Sequence, residues 1–291
     1  MEKLLFIINP IAGAGRAKSL TSLIEEKMIE HNREYEIIKT TEPKDATWIV
    51  EASTNNIIIA VGGDGTVNEV AKGILKRGWG VLGIIPGGTG NDMCKSLGLT
   101  LDPIHAIETI LKGKIKDMDI GLANGKYFLN IASVGFDAEV VRNTDKIKTK
   151  IKGKTAYILS VLITLMQYRI KKTYLEIDNK TINRKMLLLA VGNGQYYGGG
   201  MRILPQAKID DGYLHLCLVK DISNLKSLLL FPSIFKGNHI KHTKYVEVYK
   251  AKKINVKSPG KFYLNVDGDL ILTENEVEFR ISDKKLQVIS T

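Results

Sequence analysis

Glycine and acidic residues stand together in the segment Val61-Gly-Gly-Asp-Gly-Thr-Val-Asn-Glu69, at the end of an apolar stretch. The glycines allow the backbone to turn and to approach a ligand closely, and a helix that starts at Thr66 offers unpaired N–H groups to an anion. An aspartate at position 64 would repel a bare phosphate, but it would hold a Mg²⁺ ion that accompanies one. The segment therefore predicts a binding site for a phosphate group together with its metal ion.

Two further turns of the same kind flank this one. The apolar residues 4–8 lead into residues 9–16, and the apolar residues 81–85 lead into residues 86–92. Three buried strands that each end in a glycine-rich turn and precede a helical pattern predict a parallel sheet with all three turns at its carboxyl edge. For any single turn, the glycines could serve only to make a tight connection between strand and helix. Three of them predict one crevice with polar tips at Asn9, Asp64, Thr89, Asn91 and Asp92.

Two common nucleotide-binding motifs are not met. A Walker loop that ends in Gly153-Lys-Thr155 requires a glycine at position 148, which is Lys148. A dinucleotide fingerprint after the first strand requires a third small residue at position 18, which is Lys18. The glycine-rich turns therefore belong to a different class of phosphate site.

The elements that position these turns change character along the chain. The first 120 residues alternate strand and helix, including a helix that starts after Asp102-Pro103 and ends at Gly113. Beyond Asp119 short strands dominate, which predicts an antiparallel β-sandwich. The predicted strands are residues 186–191, 213–219, 245–249, 253–257, 262–266 and 277–281. An amphipathic helix over 155–170 is too short to span a membrane, and it either covers a sheet or forms an apolar wall for an acyl chain.

These patterns predict two domains with separate cores, which a chain of 291 residues can supply because it buries about three quarters of its surface. We expect an α/β nucleotide-binding domain of three layers from residues 1–122 with 282–291. A β-sandwich from residues 123–281 forms the second domain, and the active site is expected in the cleft between them. Cys94 and Cys217 lack metal-ligand spacing, which predicts reduced, structural thiols.

The formal net charge of +11 favours anionic partners. Two clusters concentrate this charge, and they contain Lys146, Lys148, Lys150, Lys152 and Lys154, and Lys236, His239, Lys241, His242 and Lys244. Either these are solvated loops or they dock the protein on an anionic membrane. Nucleic acid is not expected as a partner, because no binding motif accompanies the lysines. The start of the chain lacks a signal-peptide pattern, so we expect a cytoplasmic protein.

Six motifs in order along the chain carry a family resemblance. They are Asn9-Pro10, Gly63-Asp-Gly-Thr-Val-Asn-Glu69, Gly87-Gly-Thr-Gly-Asn-Asp92, Phe128-Leu-Asn130 with Gly135-Phe-Asp-Ala138, Asp210-Asp-Gly212 and Val266-Asp-Gly-Asp269. Together they resemble the soluble diacylglycerol kinase family, which also includes sphingosine and ceramide kinases. The resemblance implies a fold like that of NAD kinases and phosphofructokinases. It also implies an ATP- and Mg²⁺-dependent lipid kinase that phosphorylates a primary hydroxyl and associates peripherally with the inner face of a membrane.

The resemblance also implies roles for individual residues. It places nucleotide contacts on Asn9, Pro10, Ile11, Ala12, Gly13, Thr40, Gly63, Asp64, Gly65, Thr66, Val67, Asn68, Glu69 and Thr89, with Thr41 as the alternative to Thr40. Asp64, Asp92 and Asp119 would organise Mg²⁺ and water around the phosphates; for the latter two, a helix cap or a turn is the alternative. A structural Mg²⁺ would take a carboxylate from Asp211 and main-chain oxygens from Lys208 and Tyr213.

The general base is predicted in Asp267-Gly-Asp269, where a turn at Gly268 would aim a carboxylate at the acceptor hydroxyl. The family motif ends in Asp-Gly-Glu, so Asp269 is one methylene shorter than the family residue, and we rank Asp267 first and Asp269 second. Two other functions stay open, an NAD kinase-like phosphotransferase and a nucleotide-binding relative without catalysis. A homodimer is the assembly that we consider beside a monomer.

Overall fold

The computed structural model describes residues 2–136, 138–140, 160–161, 163–164, 171–178 and 180–291. The lysine cluster at 146–154, most of the predicted helix at 155–170, and Asp137 of the fourth motif lie outside the described residues. The chain divides into two compact units. Unit 1 comprises Met1–Met118 and Asp283–Thr291, and unit 2 comprises Asp119–Ser282.

Unit 1 contains the parallel sheet that the sequence predicts. Its strand order is β2-β1-β3-β4-β13, and every neighbouring pair is parallel. These strands are nearly all apolar because both faces of the sheet are covered. Their bounds are β1 Leu4–Ile8, β2 Tyr35–Lys39, β3 Ile57–Gly62, β4 Val81–Pro86 and β13 Asp269–Ser290, of which the last part belongs to this sheet.

Helices cover both faces of this sheet, which makes the predicted three layers. Apolar residues of α1 and α5 pack with Phe6, Ile8 and Val61 on one face. The alternate strand residues, such as Ile7 and Ala60, are equally buried, and α3 contacts β3 and β4 and packs against α2. The helices of unit 1 are α1 Arg16–Glu30, α2 Asp45–Ala52, α3 Asp64–Arg77, α4 Asp92–Ser96 and α5 Pro103–Lys112.

The starts of α5 and α3 can be compared with the sequence prediction. The Asp102 carboxylate caps α5 by accepting hydrogen bonds from the main-chain N–H groups of Ile104 (2.8 Å) and His105 (3.2 Å), as the Asp-Pro pattern predicts. The start of α3 differs from the prediction, since the helix begins at Asp64 and not at Thr66. Gly63 precedes it in an extended conformation, so Asp64 occupies the first helical turn, where a negative charge is favourable.

Unit 2 is the predicted antiparallel β-sandwich. Its described strands pair antiparallel in the order β11-β10-β9-β7-β12-β13, and β8 bridges β9 and β12. Their bounds are β5 Lys114–Ala123, β6 Lys126–Phe128, β7 Ile131–Gly135, β8 Lys171–Ile177, β9 Lys180–Gly192, β10 Leu214–Lys220, β11 Val246–Ala251 and β12 Lys253–Val266. A helical segment follows β10, with α6 Asn224–Leu230 and 3-10 helices Phe231–Lys236 and Asn238–Lys241.

Two strands of unit 2 are longer than predicted. The stretches 253–257 and 262–266 form one strand, β12, whose pairing with β13 shifts between Lys257 and Lys261. Pro259 lies in that irregularity, where its missing N–H costs no ladder hydrogen bond. β13 extends far beyond the predicted residues 277–281, because its first part pairs antiparallel with β12 and its last part pairs parallel with β4.

Strand β10 separates two apolar clusters of unit 2. Leu214, Leu216 and Leu218 face the larger cluster, as predicted, while Cys217 faces the smaller one. Both cysteines are free and buried, and burial raises the pKa of each thiol to about 12. Among the described helices, none combines the length and the apolar composition that crossing a bilayer requires.

Candidate active site

The three glycine-rich turns meet at the carboxyl edge of the sheet in unit 1. Gly62 pairs with Pro86 at the ends of β3 and β4, and the N–H of Gly87 donates to the carbonyl oxygen of Gly62 at 2.8 Å. The first turn packs on the third, because a Cβ added at Gly13 would collide with the carbonyl oxygen of Gly87. Glycine is therefore required where the turns touch, and three backbones approach one another closely.

The second and third turns are also in backbone contact. A Cβ at Gly88 would collide with the Cα atom of Gly63. The side chain of Asn91 fixes the third turn, since its Oδ1 accepts from the N–H of Gly88 at 3.0 Å and its Nδ2 donates to the carbonyl of Gly88 at 3.1 Å. Sequence reasoning placed Asn91 among the polar tips but missed this clamp.

Asp64 lies between these turns with an unusual electrostatic environment. Its Oδ1 accepts a hydrogen bond from the main-chain N–H of Met93 at 2.9 Å, which ties α3 to the start of α4. Burial raises the pKa of the Asp64 carboxyl above its ordinary value, and the negative charge of Asp92 raises it further. A divalent cation beside Asp64 would offset the free-energy cost of burying this negative charge. It would also offset the repulsion between the carboxylates of Asp64 and Asp92.

Asp92 is also buried, and it has a cationic partner within its own helix. Lys95 Nζ lies 2.9 Å from Asp92 Oδ1 and donates to the carbonyl of Gly90 at 2.7 Å. The predicted role of Asp92 in metal binding stays a prediction. Among the described residues, no group of three or more His, Cys, Asp or Glu side chains is placed to hold a metal. Mg²⁺ needs no such cluster when it is bound through one or two carboxylates and phosphate oxygens.

The remaining predicted nucleotide contacts of unit 1 surround the same turns. Asn9 Oδ1 accepts from the N–H of Ile11 at 3.3 Å, and the side chain of Ile11 is 81% exposed. Asn68 is buried in α3, and its Oδ1 atom has no hydrogen-bond partner. Thr66 and Val67 are buried, Thr89 and Gly65 are exposed, and Pro10, Ala12, Gly13, Gly63 and Glu69 are partly exposed.

Thr40 and Thr41 have different surroundings. Thr40 is buried at the end of β2, where its N–H donates to the carbonyl of Ile8 at 2.9 Å. The hydroxyl of Thr41 donates instead to Asp45 at 2.7 Å, at the start of α2. Thr40 is hydrogen-bonded to Ile8, the residue before Asn9. The structure therefore favours Thr40 over Thr41 as a residue at the carboxyl edge of the sheet.

In unit 2, Asp119 is buried and holds the loop before β10. Its Oδ2 accepts from the N–H of Gly212 at 2.6 Å, and its own N–H donates to the carbonyl of Ile209 at 2.7 Å. Asn193 Nδ2 donates to the carbonyl of Asp119, so the glycine-rich loop after β9 joins the same network. Asp119 thus contacts the loop that contains the predicted structural metal site.

Asp211, in that loop, has two basic partners that the sequence did not indicate. Its Oδ2 lies 2.9 Å from Lys250 Nζ and 3.1 Å from His215 Nε2, and its Oδ1 accepts from the N–H of Tyr213 at 3.2 Å. Burial alone would raise the pKa of Asp211, but hydrogen bonds from Lys250 and His215 lower it below its ordinary value. Lys208 is exposed, and the Mg²⁺ ligation by Lys208, Asp211 and Tyr213 stays a prediction.

The two aspartates around Gly268 differ sharply. The Asp267 carboxylate accepts three main-chain hydrogen bonds, from Leu129 (2.6 Å), Asn130 (3.1 Å) and Ile131 (2.9 Å). Three of its four lone-pair positions are thereby used. Asp269 is the first residue of β13 and is exposed. These contacts favour Asp269 over Asp267 as the carboxylate that can meet an acceptor hydroxyl.

Unit 2 also contains an apolar cavity of about 70 Å³. Leu188 and Val219 of the sheet form one side, and Leu230, Phe231 and Ile234 of the helical segment form the other. Among the polar lining residues, His239 is buried, and its Nε2 lies 3.0 Å from the carbonyl of Ile203. A carbonyl accepts only, so Nε2 carries the proton and Nδ1, which has no partner, is an acceptor. Burial lowers the pKa of His239, which favours this neutral form.

A parallel sheet with three touching glycine turns, followed in the same chain by a β-sandwich, makes up an NAD kinase-like fold. A family model described as the diacylglycerol kinase catalytic domain matches residues 3–123. A second model, described as the YegS C-terminal NAD kinase beta sandwich-like domain, matches residues 130–290. The chain therefore belongs to the diacylglycerol kinase family of lipid kinases.

Individual relatives agree with this placement. The diacylglycerol kinases of Staphylococcus haemolyticus and Staphylococcus saprophyticus are each 34% identical over 269 residues, which is 90% of this chain and 81% and 87% of theirs. A crystal structure of a diacylglycerol kinase from Bacillus anthracis matches with a TM-score of 0.77 and 26% identity, over 100% of this chain and 97% of that one. An NAD kinase from Archaeoglobus fulgidus in complex with ATP shares the fold, with a TM-score of 0.56 and 15% identity over 100% and 94% of the two chains.

Proposed function

We propose that this lipid kinase transfers the γ-phosphoryl group of ATP, with Mg²⁺, to the primary hydroxyl of a diacylglycerol-like lipid. The observation that supports this most is the contact of the three glycine turns around Asp64, in a chain whose relatives are named diacylglycerol kinases. Phosphoryl transfer asks a protein mainly for positioning and for stabilisation of charge, and these turns are suited to both.

The residues around the turns fit a nucleotide with its metal ion. The Oδ1 atom of Asn68 is buried without a partner and would accept a hydrogen bond from a bound molecule. Asp64 and Asp92 would hold the Mg²⁺ ion, because burial and the negative charge of Asp92 raise the pKa of Asp64, and a cation would offset both effects. When bound, Mg²⁺ would neutralise charge on the phosphate oxygens.

We assign the general base to Asp269. Asp267 is held by three main-chain donors, and we propose that it keeps the turn around Gly268 in place. Asp267 has a φ of +49° and Gly268 a φ of +100°, and the two residues form the hairpin turn between β12 and β13, for which Asp-Gly is a favoured pair. A carboxylate base is adequate for this reaction, because the hydroxyl can lose its proton late in a loose transition state.

The acceptor lipid also needs an apolar site for its chains, and the cavity of unit 2 supports one. Its walls are nearly all aliphatic or aromatic, and the Nδ1 atom of His239 would accept a hydrogen bond from a hydroxyl group of the lipid. The net charge of +11 supports peripheral association with the anionic inner face of a membrane. Homodimer formation and the cleft between the two domains stay predictions.

A competition among acceptors tests this proposal. The protein would be incubated with γ-labelled radioactive ATP, Mg²⁺ and mixed micelles that contain diacylglycerol, ceramide or sphingosine, with NAD as a water-soluble alternative. We expect the label in the diacylglycerol fraction. Label in NAD would replace the proposal with an NAD kinase activity, and nucleotide binding without any labelled acceptor would indicate a relative that has lost catalysis.

A further inference from the structure

The helical segment after β10 has an outer surface that the proposed reaction does not explain. Leu225 and Leu229 are four residues apart on α6, so they project from the same side of the helix, and they are 69% and 72% exposed. Phe235 in the following 3-10 helix is 43% exposed. Leucine side chains this exposed and this close together are a feature of surfaces that contact a partner.

The segment that carries these apolar side chains is also basic. Residues 222–246 contain four lysines, at positions 226, 236, 241 and 244, and no aspartate or glutamate. Lys226 Nζ donates to the hydroxyl of Tyr245 at 3.2 Å, and Lys244 Nζ lies 5.7 Å from the centre of the same ring. Exposed leucines in the same segment as four lysines match the apolar interior and the anionic headgroups of a lipid surface.

The inner side of the same segment lines the apolar cavity. Leu230, Phe231 and Ile234 face that cavity, while Leu225, Leu229 and Phe235 are exposed. One short segment therefore separates an apolar cavity from an exposed apolar surface. A soluble protein partner would not explain why these two features adjoin, whereas a membrane that supplies the lipid explains both.

We propose that residues 222–246 form a docking face that binds an anionic lipid bilayer, with Leu225 and Leu229 inserted among the acyl chains. The docking face rests on the proposed function in one respect, because its purpose is to bring the apolar cavity next to the lipid substrate. It differs from attraction by basic clusters alone because part of the affinity is apolar. That part is insensitive to salt, since screening acts on charges and not on apolar burial.

Sedimentation with vesicles, without nucleotide, tests the docking face. The variants are Leu225→Gln/Leu229→Gln and a matched control, Ile29→Gln/Leu272→Gln, whose residues are 71% and 53% exposed elsewhere on the chain. The parent and both variants keep the lysines at positions 146, 148, 150, 152 and 154. We expect the first variant to bind equimolar phosphatidylglycerol and phosphatidylcholine vesicles at least about tenfold more weakly than the parent, and the control to bind like the parent. Equal binding by the parent and the first variant would overturn the proposal, as would an equal loss in the control.

Salt separates the two contributions to docking. Replacing Lys226, Lys236, Lys241 and Lys244 by Gln should weaken binding at low ionic strength and make little difference near 1 M salt, where the screening length is about 3 Å. The loss from Leu225→Gln/Leu229→Gln should persist at that salt. A leucine effect that disappears with the lysine effect would contradict insertion.

A soluble acceptor separates this inference from the proposed function. The variant Leu225→Gln/Leu229→Gln should phosphorylate a short-chain diacylglycerol below its micellar concentration at the parent rate. A parent that docks but phosphorylates no lipid would reject the proposed function and leave the docking face intact. A parent that phosphorylates lipid while the leucine variant binds vesicles normally would reject only the docking face.

Discussion

Hydrogen-bond partners give carboxylates in similar glycine-rich contexts different properties. Asp267 is held by three main-chain donors, and Asp211 is paired with Lys250 and His215. Asp64 has instead a buried carboxyl with a second negative charge beside it, and its pKa is raised. Asp64 is therefore the carboxylate whose surroundings most favour a bound cation.

Substitution around Gly268 separates the base from the anchor. Asp269→Asn should lower kcat by at least about a hundredfold, the usual contribution of a general base, with an unchanged melting temperature. Asp267→Asn should lower the melting temperature, because an amide nitrogen cannot accept from the N–H of Leu129, and a main-chain donor left without an acceptor costs about 1–3 kcal/mol. Steady-state kinetics and thermal unfolding would measure both effects. Asp269→Glu, which restores the family residue, is the control that should remain active.

The opposite pattern would return the base to Asp267. In that case Asp267→Asn would abolish turnover without changing the melting temperature, and Asp269→Asn would be nearly silent. The sequence could not decide this point, since Leu129 and Asp267 are 138 positions apart and only the folded chain brings them together.

At the scale of elements, the site depends on turns that touch through their backbones. The sequence predicts these turns well, because strand, glycines and helix are local patterns, and β1 and α5 are found at the predicted residues. Side-chain clamps between elements, such as Asn91 on Gly88 and Asn193 on Asp119, are not predictable in this way. They depend on distances that periodicity does not contain.

A glycine pair tests the contact between the first and third turns. Gly13 and Gly15 both have positive φ, of +60° and +90°, so alanine is strained at either position. Only Gly13 has a close neighbour, the carbonyl of Gly87, while nothing lies within 4 Å of a Cβ at Gly15. Gly13→Ala should therefore weaken ATP binding at least about tenfold more than Gly15→Ala, as measured by calorimetry. Equal effects would show that the turns do not require this contact.

The cap of α5 predicts a dependence on pH. Hydrogen bonds from His105 and Ile104 lower the pKa of Asp102 below its ordinary value. The folded state therefore favours the ionised form, and the cap stabilises fully above the unfolded pKa of about 3.9 and less as the pH falls through the folded pKa. Asp102→Ala should lower the melting temperature at neutral pH, with a gap that narrows in acid. Asp102→Asn, which retains a capping oxygen, should show a smaller loss, and a gap independent of pH would contradict the cap.

At the scale of the whole molecule, the chain consists of two units with one buried thiol each. Cys94 belongs to unit 1 and Cys217 to unit 2. The sequence predicts two cores because a strand-helix alternation gives way to short strands, and the family motifs extend over both. It could not predict that one long strand, β13, pairs with β12 in its first part and with β4 in its last part, since each half of that strand has an ordinary pattern.

The thiols report on the two units separately. Burial raises the pKa of each to about 12, so at pH 8 few thiolates are present and access is blocked. In the variants Cys94→Ser and Cys217→Ser, the remaining thiol should react with a disulfide reagent only as its unit unfolds in urea. Two different midpoints would show independent unfolding of the units, and one shared midpoint would show cooperative unfolding. Fast reaction of either thiol in the native protein would contradict its burial.

The decisive measurement is whether phosphoryl transfer to the lipid depends on Mg²⁺ and on Asp64. Labelled phosphate would be followed from γ-labelled ATP into diacylglycerol, with Mg²⁺ or with a chelator, for the parent and for Asp64→Asn. Asparagine can still accept the hydrogen bond from Met93, so the variant should keep the parent's melting temperature. We expect labelled phosphatidic acid only for the parent with Mg²⁺. Equal labelling by Asp64→Asn, labelling in the presence of the chelator, or no labelled lipid from the parent would contradict it.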